Sequence, residues 1–181
     1  MLTMTLDLAT NTGFAIGPAG QIPRSGTVRL KKREDEQSRA ARNLGCFLRD
    51  TFALERPDIL VYEAALPAAA MLGMGNASET ADMAWQLVGV VEAICGCYGV
   101  RTIAANVQTV RKHFTGRARW GDRSSAKHAV IDRCHLLGYF PRNCRDDNRA
   151  DACALFDWAA ATYAPKSARP FALFGQPAEV A

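Results

Sequence analysis

Leu2, Met4 and Leu6 alternate with Thr3, Thr5 and Asp7, the period-two pattern of a strand with one apolar face. Thr10-Asn11-Thr12-Gly13 supplies turn chemistry, Gly13 to Ile16 continues as a second strand, and Gly17-Pro18-Ala19-Gly20 breaks it before a third at Gly26 to Leu30. Strands joined by such short turns predict an antiparallel meander. Lys31 to Glu36 is a mixed charge run that predicts a solvated helix start with its acids in the first turn. Ala41, Leu44, Leu48 and Phe52 then recur at helical spacing until Pro57. Asp58 to Glu63 is short, apolar and β-rich, a buried strand that ends, like the first, in a carboxylate.

Ala64 to Gly75 is an Ala, Met and Gly loop, and Asn76 with Glu79 resembles a capping box. The helix it opens carries Ala84, Leu87, Val88, Val91, Ile94 and Cys95 on one face and closes at Gly99. Arg101 to Ala105 predicts a fifth strand, and Asn106 caps a short helix bearing Val107, Val110 and Phe114. Ala126, Val130, Ile131, Cys134 and Leu137 mark a further helix that Gly138 ends, and a last one opens near Asp146 with Ala150, Ala154, Trp158 and Ala161 inward. No repeat or linker divides residues 1–164, so they read as one domain, followed by a tail at 165–181.

At 181 residues and 49% apolar content the chain can bury a continuous core. Its net charge of +4 permits a polyanionic partner without demanding one. The start of the chain lacks the basic and apolar regions of a signal peptide, which predicts a cytoplasmic protein with reduced thiols. Cys46, Cys95, Cys97, Cys134, Cys144 and Cys153 accordingly read as small hydrophobes rather than a zinc site, because Cys95-Gly96-Cys97 has the wrong spacing for a zinc knuckle. His113, His128 and His135 show no metal spacing with an acid. No run approaches the about 18 apolar residues of a membrane span.

A strand meander followed by helix, strand, helix, strand and helices is an α/β order. Right-handed crossovers then favour the fourth strand beside the first. Asp7 and Glu63 become neighbours, and Asp151 on the last helix reaches the same place if Ala150 and Ala154 pack down. Clustered carboxylates repel one another and are tolerable chiefly around divalent cations. All-oxygen ligation suits magnesium or manganese, and two ions roughly 4 Å apart can flank a phosphodiester.

Leu6-Asp7-Leu8 with Thr12-Gly13-Phe14-Ala15, then Val61-Tyr62-Glu63, then Asp147-Asn148-Arg149-Ala150-Asp151-Ala152 resembles the RuvC-type Holliday junction resolvases of the ribonuclease H-like superfamily, in their short phage and bacterial form. The resemblance implies a five-stranded mixed sheet in order 3-2-1-4-5 flanked by helices, a homodimer, and magnesium-dependent paired nicks in branched DNA at a four-way junction, with manganese able to substitute. By position, Asp7, Glu63 and Asp151 match its metal-binding acids. The fourth ligand departs from the pattern: Asn148 stands where an acid or histidine is usual, and Asp147 stands one residue earlier, both on a helix face with Asp151. Lys127 matches a lysine near the scissile phosphate, where a cation stabilises developing charge.

From Arg111 to Lys127 the chain is basic, and Arg111, Lys112, Arg117, Arg119 and Arg123 read either as phosphate contacts that position DNA without reading bases or as a solvated loop. Trp120 is open between stacking on an unpaired base and a core or dimer contact. Met71, Leu72 or Met74, in the loop after the second acid, can wedge between bases, or can simply pack. Three other functions compete: a nuclease of the same fold acting on flaps, forks or RNA–DNA hybrids; a module that binds branched nucleic acid without cutting it; and an actin-like phosphotransferase, for which the chain is too short and lacks a second Gly-rich phosphate loop.

Overall fold

The computed structural model describes residues 1–64 and 77–167. The elements run β1 (Leu2–Asp7), β2 (Asn11–Pro18), β3 (Arg24–Arg29), α1 (Gln37–Leu54), β4 (Ile59–Glu63), α2 (Ala77–Tyr98), β5 (Arg101–Ala105), α3 (Val107–Thr115), α4 (Arg123–Leu136) and α5 (Asp147–Tyr163). They form one five-stranded mixed sheet in the order β3-β2-β1-β4-β5, as the resemblance implies. β1 to β3 are antiparallel, whereas β4 lies parallel to both β1 and β5. Asp58 pins the parallel pair at its start: the Leu2 amide donates to its carboxylate at 2.7 Å, and its own amide donates to the Leu2 carbonyl at 2.9 Å.

Alternation along the strands sorts side chains between two cores. Met4, Leu6, Ile16, Leu60 and Tyr62 face α1 and α2, while Ala15, Ile59 and Val61 face α3, α4 and α5. The polar side of β1 is therefore covered as well: Thr3 and Thr5 are fully buried, and the Thr5 hydroxyl donates to the Ala152 carbonyl of α5 at 2.8 Å. Asn106 caps α3 as expected, accepting from the Gln108 and Thr109 amides.

Three local expectations change. The charge run 31–36 precedes α1 rather than opening it, and no acid occupies the first turn. Asp35 instead closes a turn, accepting from the Lys32 amide at 2.8 Å and pairing with Arg39. The buried stripe of α1 begins at Ala40, not Ala41. α5 is buried nearly all round, at Ala152, Cys153, Leu155, Phe156, Ala159 and Ala160 as well as Ala150 and Ala154, while Trp158 and Ala161 are only half-buried. A helix between the sheet and two outer helices has no solvated face, so its amphipathic period vanishes.

All six cysteines are free, but only Cys95, Cys134 and Cys153 are buried; Cys46 and Cys97 are exposed, which corrects the reading of all six as core residues. Among the described residues no helix is long and apolar enough to cross a membrane. Met71, Leu72, Met74, the Asn76 cap and most of the 165–181 tail lie outside the described residues.

Candidate active site

Register brings the first two acids together. Leu6 aligns with Tyr62 across the parallel pair, so the next residues along, Asp7 and Glu63, leave adjacent strands at one edge. Both occupy the strand phase of Thr5 and Val61, which faces α5. Asp151 sits on the first turns of α5, and Gly13 decides how close that helix comes. A Cβ on Gly13 would overlap the backbone carbonyl of Asn148. Glycine, opposite Asp7 in the β1–β2 pairing, therefore lets α5 rest directly on β2.

Asp7, Glu63 and Asp151 line one cleft together with Val107, Val110 and Arg111 of α3 and Val130 of α4. Its volume is about 20 Å³, room for about one water-sized sphere. Burial pushes the Asp7 carboxyl well above the usual range, and Asp151, Glu63 and Asp147 push it further. Glu63 is pushed up to about 7, first by burial and then by Asp151. Asp151 is pushed up to about 6 by burial, against the pull of Arg111. Asp147 goes the other way, held low by its hydrogen bond from Lys127. The Lys127–Asp147 ion pair, with each side chain about one-third exposed (35% and 32%), stands at the rim of the cluster. Lys127 and Asp147 both act electrostatically on Asp7 and Asp151.

Such a donor set is chemically suited to a hard divalent cation: oxygen ligands whose mutual repulsion an ion would relieve. The acids share the cleft without being gathered round one point, and among the described residues no three His, Cys, Asp or Glu side chains form a ready metal site.

Arg111 is the residue whose place the basic run conceals. It lines the acid cleft, lowers the proton affinity of both Glu63 and Asp151, and has a buried Nε with no hydrogen-bond partner among the described residues. Its helical spacing held the clue, because Arg111 lies four residues after Val107 and next to Val110, both of which face the cleft.

Comparison with known proteins then bears on the fold. No family model and no curated protein matches the sequence. Among solved structures, Thermus thermophilus RuvC superposes with a TM-score of 0.68 at 16% identity, covering 94% of this chain and 99% of that one. T. thermophilus RuvC in complex with a Holliday junction substrate gives 0.64 at 16% identity, covering 86% and 90%. The chain has a RuvC-type fold.

On this RuvC-type fold the other basic residues separate from Arg111. Lys112, Arg117, Arg119 and Arg123 are exposed. Trp120 is half-buried, with the Arg117 guanidinium 5.5 Å from its ring centre. His113 meets Asp157 at 3.0 Å and His135 meets the Cys144 carbonyl at 2.9 Å, both away from the acids, while His128 is exposed.

Proposed function

We propose that this protein is a metal-dependent, structure-selective DNA endonuclease that resolves four-way junctions by paired nicks. The observation that carries the reading is the convergence of Asp7, Glu63 and Asp151 in one cleft beside Arg111. These three acids would hold magnesium, or manganese in its place, with Asp147 and Asn148 at the helix start as the further oxygen donors and room for a second ion only after the cleft opens. A divalent cation there supplies Lewis-acid polarisation of the phosphodiester and makes water a stronger nucleophile at neutral pH. Arg111 and Lys127 place positive charge where the phosphate passes through its more negative transition state. Exposed Lys112, Arg117, Arg119 and Arg123 neutralise backbone phosphates and set the register of the strand.

Paired nicks need two such sites. α2 offers a surface for a second copy: Trp85 is 54% exposed, and Gly89, Ala93 and Gly96 are exposed beyond it, small residues that let two helices approach closely. Thermus thermophilus RuvC, which shares the fold, has been solved with a Holliday junction substrate, and that supports branched DNA as the ligand. The binding-module reading draws on the narrow cleft and on Asp147 being tied to Lys127.

A labelled mobile four-way junction, a flap and an RNA–DNA hybrid, incubated at one salt concentration with magnesium, manganese or chelator, decide among these. Symmetric, ligatable nicks in the junction alone, abolished by chelator and by Asp7→Asn while binding persists, are expected. Full activity of Asp7→Asn sinks the assignment. Binding without cleavage in either metal supports the binding module, and preferred cutting of flap or hybrid changes the substrate.

A further inference from the structure

A second cavity, of about 410 Å³, opens at the C-terminal end of α3 between that helix and α4. Its walls include His113, Phe114, Trp120, Ala129, Arg133 and Leu136, and none of these has a part in the chemistry above. The volume falls within the range of small-ligand sites, and an apolar lining with a few polar groups is their usual make-up. Leu136 stands 73% exposed at this cavity, an apolar side chain left in water. Two lining residues also carry donors without partners: among the described residues, Trp120 Nε1 and Arg133 Nε are buried and make no hydrogen bond. Unpaired buried donors are uncommon in folded chains and call for an acceptor.

We propose that this cavity receives an unstacked nucleobase from the bound DNA strand, with Trp120 as its stacking wall. The proposal rests on the DNA-binding reading above. Charge selects a nucleic acid over an apolar peptide, because exposed Lys112, Arg117, Arg119 and Arg123 frame Trp120 in sequence, and a strand whose phosphates they hold presents its bases alongside. Arg117 already lies against the indole, an arrangement in which ring and guanidinium act together on single-stranded nucleic acid. Placement agrees. Arg111 lines the acid cleft and Thr115 lines the cavity, about 6 Å apart along α3 at the helical rise, or about two nucleotide steps of a DNA strand. Bases carry carbonyl and ring-nitrogen acceptors, which match the two unpaired donors once Trp120 tilts outward to admit them. A junction is also where unstacking is cheapest, since bases at a branch point have already lost neighbours.

The test is 2-aminopurine fluorescence, with the analogue placed in turn at positions flanking the crossover of a four-way junction and, separately, in a short single strand. Binding is followed by anisotropy without divalent cation, so that cleavage plays no part. Wild-type protein is expected to change the emission several-fold at one junction position. Trp120→Phe keeps the response, whereas Trp120→Ala abolishes it and weakens junction binding about tenfold. Ala129→Phe, which fills the cavity and leaves Trp120 in place, abolishes the response too. Thermal melting confirms that each variant is folded. Should Trp120→Ala not fold, the Phe variants decide alone. A response that survives Ala129→Phe, or none at any position with the DNA bound, overturns the proposal. Wild-type protein that nicks junctions with no fluorescence response keeps the nuclease reading and sinks the cavity. Protein that ignores junctions yet responds to the single strand does the reverse, and binding to neither DNA sinks both.

Discussion

The two faces of the sheet do opposite things with the same strands. Toward α1 and α2, Met4, Leu6, Leu60 and Tyr62 present a largely apolar surface, where the Tyr62 hydroxyl donates to Glu92 at 2.8 Å. Toward α5, the intervening positions are Thr3, Thr5 and Asp7 on β1 and Ile59, Val61 and Glu63 on β4, so the surface turns polar as it approaches one edge. Burial and mutual repulsion raise Asp7, Glu63 and Asp151 together. One face supplies stability, and the other spends part of it to hold like charges in place. Functional sites commonly show this trade.

Substitutions three residues apart on β4 should expose the contrast most sharply. Glu63→Gln is expected to cut junction cleavage by about a thousandfold while raising the melting temperature of the metal-free protein at pH 8. Leu60→Ala, on the opposite face and fully buried, is expected to cost about 3 kcal/mol of stability and to leave the cleavage rate of the protein that remains folded near that of wild type. Parallel melting curves and single-turnover cleavage check both; a destabilised Glu63→Gln would contradict the strained-acid account.

Gly13→Ala attacks the join between the faces. Its methyl group would overlap the Asn148 carbonyl, so α5 must lift away from β2 and carry Asp151 with it. A loss of about 3 kcal/mol is expected, together with a fall in cleavage larger than that loss explains. Denaturant titration alongside cleavage at saturating metal reads the two separately.

The pH dependence should carry the same signature. Glu63 titrates at 4.5 unperturbed and about 7 in the fold, and Asp151 at 3.8 and about 6. Between those values the folded chain binds more protons than the unfolded one, so the unfolding free energy contributed by these groups falls as pH rises. Their destabilisation is absent below about pH 4 and complete above about pH 7. Relative to wild type, Glu63→Gln combined with Asp151→Asn is expected to flatten the decline of melting temperature between pH 5 and about pH 8 in chelator. Saturating magnesium should reverse the wild-type decline, because ion binding favours the charged form.

Much of this was legible in the chain. The period-two run ending at Asp7, the short apolar run ending at Glu63, and the order of elements between them already place both acids at neighbouring strand ends, since a parallel crossover leaves few other arrangements. What was not legible depends on the third dimension. Arg111 and Arg117 are indistinguishable as members of a basic run, yet one enters the acid cleft and the other lies on Trp120. Arg111 lies on the cleft-facing side of α3, whereas Arg117 lies past the Gly116 cap that ends that helix, and a helix of nine residues is too short for its phase to stand out. α5 hid its role for a different reason: a helix buried on every side loses the amphipathic stripe by which helices are oriented from sequence. Gly13 resembled a turn residue, and only the closeness of Asn148 reveals it as a seat for that helix.

The smallest effect tests whether the polar side of β1 matters beyond its acid. Thr5 is fully buried and donates to the Ala152 carbonyl at 2.8 Å, one residue from Asp151. Valine keeps its shape and β-branched preference but cannot donate, so Thr5→Val is expected to cost about 1 kcal/mol, or roughly 3 °C in melting temperature for a chain of this size. If the hydroxyl merely fills space, stability is unchanged and cleavage with it. If it helps fix the height of α5 over β1, the metal concentration for half-maximal cleavage rises several-fold while the maximal rate holds, because Asp151 must then be brought back to its partners by the ion. Thr5→Ser, which restores the donor, should recover the metal response even where the lost methyl leaves a small stability deficit.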